Sequence, residues 1–119
     1  MHPHLETLLE IQDLKTQRRE LAATGGDREV QESVFGLGIE NALAQIDEKV
    51  AEMEASLPGP VRGRLQRMQA KHPRVVVPVI RGTCYGCFVQ VPTALASDVD
   101  RNEEVRTCQS CGRFLYLID

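Results

Sequence analysis

The feature that most constrains this chain is its four cysteines, which fall as two C-x₂-C pairs: Cys84 with Cys87, and Cys108 with Cys111. Twenty residues separate the pairs, the upper end of the spacing of a four-thiolate zinc site. Each pair places two sulfurs on one side of a tight turn, and two such turns face to face give the tetrahedral S₄ set that Zn²⁺ prefers. Gly86 and Gly112 sit in or just after the turns, where positive φ or close backbone approach is needed. Two disulfides, a redox dithiol and a rubredoxin-type iron site compete with this reading. No secretory signal is visible, and a redox C-x₂-C stands alone beside a βαβ pattern that is missing here. Four thiolates leave no open position for water, so the metal is expected to staple the fold and not to catalyse.

With 119 residues the chain has room for one ordinary domain or two very small ones. No apolar run approaches the length of a membrane span and no targeting segment is visible, so a reducing, cytoplasmic setting is expected. The net charge of -3 conceals a strong segregation. Residues 1–54 hold 12 acids and 5 bases, whereas residues 55–97 hold no acid and six bases: Arg62, Arg64, Arg67, Lys71, Arg74 and Arg81.

The N-terminal part, residues 1–57, reads as an antiparallel helical hairpin. A first helix is expected from His4 to Ala23, with Leu5, Leu8, Leu9, Ile11, Leu14 and Leu21 on a broad apolar face. The second carries Ile39, Leu43, Ile46, Val50, Met53 and Leu57 at alternating steps of four and three, a coiled-coil seam. Whether residues 28–38 belong to that helix is left open by Gly36 and Gly38. Such a seam can close on the first helix or on a second copy of the chain. A basic connecting helix is expected within residues 58–74, opened by Pro60 and closed by His72-Pro73, with Val61, Leu65 and Met68 on one face.

The period then changes. Residues 75–119 read as a four-cysteine ribbon of short strands: Val75–Ile80 with Pro78 confining it to an edge or a bulge, Phe88–Val91, Glu104–Thr107 and Arg113–Ile118. The fold class is therefore α+β. Its core is too small to hold without the ion, so metal binding and ribbon folding are expected to be one event.

Three stretches carry a resemblance: Gly82-Thr83-Cys84-Tyr85-Gly86-Cys87, then Val91-Pro92 with Ala94-Leu95, then Cys108 through Tyr116. With the opening Leu8-Leu9-Glu10-Ile11-Gln12-Asp13-Leu14, they resemble the bacterial C4-type zinc-ribbon, coiled-coil hairpin family, of which this chain looks like a shortened member. That resemblance implies an adaptor or regulator, since relatives of this kind bind a sigma factor, a secretion-apparatus component or RNA. A minor alternative rests on an architectural resemblance to factors that enter the RNA polymerase secondary channel, which also display a helical hairpin, some beside a zinc site; their acidic tip would here be Gly25-Gly26-Asp27 with Glu29 nearby.

The expected function is that of a non-enzymatic, zinc-binding regulatory adaptor associated with RNA or DNA. Arg64, Arg67 and Lys71 share one helical face suited to successive phosphates, and Tyr85 and Phe88 flank the first knuckle where unpaired bases could stack. The alternative is a protein–protein adaptor or chaperone of the transcription or secretion machinery that uses the hairpin alone. Under that alternative the basic helix would lie against the acidic hairpin of its own or of a second chain. No enzyme is expected: His2, His4 and His72 are isolated, Gly36-Leu37-Gly38 is a bare GxG, and no catalytic constellation is visible.

Overall fold

The computed structural model describes residues 1–25, 34–96 and 102–118. Two long helices come first, α1 (Pro3–Gly25) and α2 (Val34–Ala55), followed by the shorter α3 (Gly59–Lys71). The start of α1 is earlier than expected because His2 caps it: its Nδ1 accepts the His4 N–H at 3.0 Å, and its carbonyl takes the Glu6 N–H at 3.1 Å. Gly36 and Gly38 lie within α2, whereas residues 26–33, including Gly26, Asp27 and Glu29 of the expected tip, fall outside the described residues.

The two long helices run antiparallel. Arg18 pairs with Asp47 and Lys15 with Glu54, so stepping back along α1 is stepping forward along α2. Arg18, at an otherwise apolar stripe, thus faces a carboxylate of the hairpin itself. From the seam, Ile39, Val50 and Leu57 are buried, and Leu43, Ile46 and Met53 are half-buried.

Helix α3 opens with proline in its first turn and ends where His72 becomes extended before Pro73. Its buried residues are Leu65 and Met68, and Val61 packs beside them. Beyond it lies a four-stranded sheet of order β2-β1-β4-β3, built from β1 (Val76–Ile80), β2 (Thr83–Cys84), β3 (Arg106–Thr107) and β4 (Phe114–Leu117). A single turn of helix, α4 (Thr93–Ala96), lies between β2 and β3. The β1–β4 pair is parallel, Val76 opposite Phe114 through Val79 opposite Leu117, and the two flanking pairs are antiparallel.

Two expectations about the strands are corrected. Phe88–Val91 is no strand: only Gln90 bridges, to Thr83, and Phe88 is in the left-handed region at φ 61°. Pro78 lies in an interior strand and not at an edge. Bonds to the β4 side are accepted at Val75 and Val79, so residue 78 turns its missing N–H to the β2 side. There its carbonyl still accepts the Tyr85 N–H at 3.0 Å, and β2 stops at Cys84, where the return bond has no donor. The proline thereby ends the ladder where the first knuckle begins.

One core joins hairpin and ribbon. Leu5, Leu8 and Ile11 of α1, Val50 and Leu57 around α2, and Leu65 and Met68 of α3 pack with Val75, Val76 and Phe114. A second cluster surrounds the cysteines, with Val77, Val79, Val91, Leu115 and Leu117.

Candidate metal centre

Each cysteine pair lies in a turn of the same construction. In the first, Cys84 N–H donates to the Val89 carbonyl at 3.0 Å, and the Cys84 carbonyl accepts from Phe88 N–H at 2.7 Å. In the second, Cys108 N–H donates to the Arg113 carbonyl and its own carbonyl accepts from Gly112 N–H, both at 2.9 Å. The bonds span the same number of residues, so Phe88 and Gly112 occupy equivalent positions. Both are left-handed, at φ 61° and 79°. Glycine adopts this conformation freely, whereas a side chain there costs about 1–2 kcal/mol.

The turns bring all four Sγ atoms within 4.8 Å of one another. Cys84 and Cys111 sulfurs are 3.9 Å apart, and those of Cys87 and Cys108 are 3.7 Å apart. Four sulfurs around one ion at about 2.3 Å would be separated by roughly 3.8 Å in a tetrahedron, so the set fits Zn²⁺. No other group of histidine, cysteine and acid side chains among the described residues has metal-binding geometry. The site is also braced for charge. Gly86 N–H points at Cys84 Sγ from 3.4 Å. Burial pushes the Cys84 and Cys111 thiols up, Cys111 to about 12 with Cys108 and Cys84 adding to the effect. Burial also raises Cys87, but hydrogen bonds from Val89 N–H, Cys108, Ser110 and Cys84 outweigh it and bring that thiol down to about 7. A dication would supply the compensating charge that lets all four ionise.

Two arginines that the motif did not single out for the metal close over the knuckles. A Cβ at Gly86 would lie 3.0 Å from Arg113 Nη1 and 3.1 Å from Val77 Cγ1, so a side chain there would crowd both neighbours. Arg113 Nε is buried without a hydrogen-bond partner, leaving a cation beside a site whose four thiolates and one Zn²⁺ carry net negative charge. Arg64 Nη1 donates to the Gly112 carbonyl at 3.1 Å. Arg64 therefore belongs partly to the second knuckle, and the expected three-residue face of Arg64, Arg67 and Lys71 is reduced to Arg67 and Lys71, both exposed.

The remaining predicted cations are not brought to the metal. Arg74 and Arg81 are exposed and Arg62 is half-buried. Among the described residues, Arg62, Arg67, Lys71, Arg74 and Arg81 form neither a salt bridge nor a side-chain hydrogen bond. His72, half-buried between them in sequence, is pushed below the usual imidazole value by burial and then by the charges of Arg113 and Lys71. Tyr85 and Phe88 are both exposed, with ring centroids 5.6 Å apart. His2 and His4, isolated from other site residues in sequence, meet with tilted rings, centroids 4.8 Å apart, at the start of α1.

Residues 83–115 match the family model of the C4-type zinc ribbon domain. The match covers both knuckles and neither long helix. No curated protein and no solved structure matches the chain. The donor set, its spacing and the matched family together make this a Zn²⁺-binding ribbon. No helix among the described residues is long and apolar enough to cross a membrane.

Proposed function

We propose that this is a non-enzymatic, zinc-stabilised adaptor that binds nucleic acid through the segment joining its hairpin to its ribbon. One observation carries the reading: Arg62, Arg67, Lys71, Arg74 and Arg81 have no acidic partner among the described residues. If the basic segment served to neutralise the acidic hairpin of its own chain, its cations would pair across to α1 or α2. The ion pairs that two hairpin acids make are instead within the hairpin, Lys15 with Glu54 and Arg18 with Asp47. Unpaired cations in a stretch without a single acid make a surface for a polyanion.

In this reading the zinc supplies structure: it fixes the two knuckles against α3, whose Arg64 and Met68 meet Gly112. Arg67, Lys71 and Arg74 supply phosphate contacts, and the hairpin remains available to a protein of the transcription or RNA machinery. The test is titration of labelled single-stranded RNA and duplex DNA into zinc-loaded protein at several salt concentrations. Binding should weaken steeply with salt. Changing Arg67, Lys71 and Arg74 together to Gln should flatten the log–log slope by about 2–3, at 0.7–0.9 per lost phosphate contact. Absence of binding at low salt would refute the reading and turn attention to a protein partner of the hairpin.

A further inference from the structure

The two knuckles are built alike in their hydrogen bonds, yet they differ at one equivalent position. The second has Gly112 where the first has Phe88, and both are left-handed. A bulky residue in this conformation is unusual unless something requires its side chain. Packing does not require it: Phe88 as a residue is 70% exposed, so its side chain gains little from burial. What the conformation achieves is placement. It turns the ring outward beside Tyr85, itself 47% exposed, with the rings tilted by 50° and their centroids 5.6 Å apart.

The surroundings say what kind of ligand this pair suits. Arg81 stands exposed three residues before Cys84, and Arg113 places its guanidinium over Gly86, between the two aromatic residues in sequence. No acid occurs anywhere from residue 55 to residue 97. Exposed rings on a metal-braced turn, in a stretch of chain that holds arginines and no acid, match a ligand that is both aromatic and anionic.

We propose that Tyr85 and Phe88 form a stacking platform for unpaired nucleobases, which makes the ribbon select single-stranded over duplex nucleic acid. The proposal rests on the nucleic-acid reading above and deepens it. Bases in a duplex are already stacked on their neighbours and present only edges, so they cannot use the platform, whereas phosphate contacts to Arg67, Lys71 and Arg74 are open to both forms. The strained backbone at Phe88 is the price of presenting the ring.

The test compares wild type, Phe88→Gly and Phe88→Tyr, all zinc-loaded, against short oligo(U), oligo(dT) and a duplex of matched length. Phe88→Gly suits the backbone conformation, so the ribbon should keep its zinc and any loss is not a folding defect. Expected is a loss of about 5- to 160-fold in affinity for the single strands, the range of one lost base–aromatic contact, with duplex affinity within about twofold. Phe88→Tyr should restore single-strand binding. Comparing oligo(U) with oligo(dT) distinguishes RNA from DNA as the source of the bases. Equal losses for both forms, or no loss for either, would overturn the platform while leaving the basic surface standing. A change from dimer to monomer in Phe88→Gly with unaltered nucleic-acid affinity would overturn it too, in favour of a self-association contact. If wild type bound neither form, the underlying reading would fail, which is a separate result.

Discussion

The side-chain amide of Gln12 bonds both backbone polar groups of Val76: Oε1 accepts the Val76 N–H at 2.8 Å, and Nε2 donates to the Val76 carbonyl at 3.1 Å. The same Oε1 accepts the Val75 N–H at 2.8 Å. A residue of α1 thus stands in for a neighbouring strand at the entrance to β1. Hydrogen bonding and the shared core of Leu8, Ile11, Val75 and Val76 fasten the hairpin to the ribbon at the same place. The zinc site and the hairpin are therefore energetically connected.

Gln12→Ala should expose that connection. It strands two backbone N–H groups and a carbonyl in a half-buried place, and each unsatisfied group costs about 1–3 kcal/mol. Allowing for partial access to water, a loss of roughly 2–3 kcal/mol in denaturant unfolding is expected. Zinc content should remain one per chain, because no ligand is touched. Gln12→Glu should fall between the two, since a carboxylate accepts from Val75 and Val76 but opposes the Val76 carbonyl.

Zinc loading should release protons. In the folded arrangement without the ion, burial holds Cys84 above its ordinary value and Cys111 at about 12, and in an unfolded ribbon both keep ordinary thiol values, so on either path both are thiols at pH 7. Cys87, brought to about 7 by the hydrogen bonds of the folded site, is ionised in part only where that site is formed. Zn²⁺ takes thiolates, so binding at pH 7 must displace at least the protons of Cys84 and Cys111, and affinity must rise with pH and fall as acid competes for the sulfurs. Calorimetry in buffers of different ionisation enthalpy should return about two or more protons per zinc, whereas a value under one would contradict the assignment. Cys111→Ser should lose the metal and the ribbon's order. Because Val75, Val76 and Phe114 are shared with the hairpin core, its helices should also melt at lower temperature.

The sequence exposed the metal site almost completely and the joints hardly at all, for a physical reason. Chelation by Cys84, Cys87, Cys108 and Cys111 depends on local spacing, which any reader of the chain can measure. The seam through Ile39, Val50 and Leu57 was legible in the same way, as a period. Gln12 looked like one more polar helix position, since its partners lie more than sixty residues away. Asn102 is a similar case: left-handed at φ 64°, it exchanges two 2.8 Å bonds with Leu117, a closure that spacing does not reveal. Pro78 misled because the rule against interior proline assumes a full-length neighbour on both sides, and β2 is only two residues long.

Arg64 and Arg67 are three residues apart in one basic helix, and they should behave differently. Arg64 gives a hydrogen bond to the Gly112 carbonyl, whereas Arg67 is exposed and unpaired among the described residues. Arg64→Ala should lower ribbon stability by about 1 kcal/mol, the size of one hydrogen bond, with only a modest change in the salt dependence of nucleic-acid binding. Arg67→Ala should leave stability within about 0.5 kcal/mol and flatten the salt slope by nearly one unit. The same stability cost for both would mean that Arg67 has a structural partner after all.

Gly112→Ala and Gly86→Ala should separate conformational strain from crowding within one zinc site. At Gly112, φ is 79°, and a new Cβ would also meet Met68 Cε at 3.3 Å and Arg64 Nη1 at 3.4 Å. Those neighbours are ends of long side chains that can yield, so most of the cost is backbone strain, about 1–2 kcal/mol. At Gly86 there is no positive φ, but Val77 Cγ1 would lie 3.1 Å from the new atom on a buried, short, branched side chain that cannot retreat. Its cost is overpacking, about 1–3 kcal/mol, and it should be relieved by Val77→Ala, which makes the room. Chelator competition on the four single and double variants distinguishes the two cases. Val77→Ala should restore zinc retention to Gly86→Ala and leave Gly112→Ala as weak as before; rescue of both would mean that crowding, and not φ, governs the second knuckle.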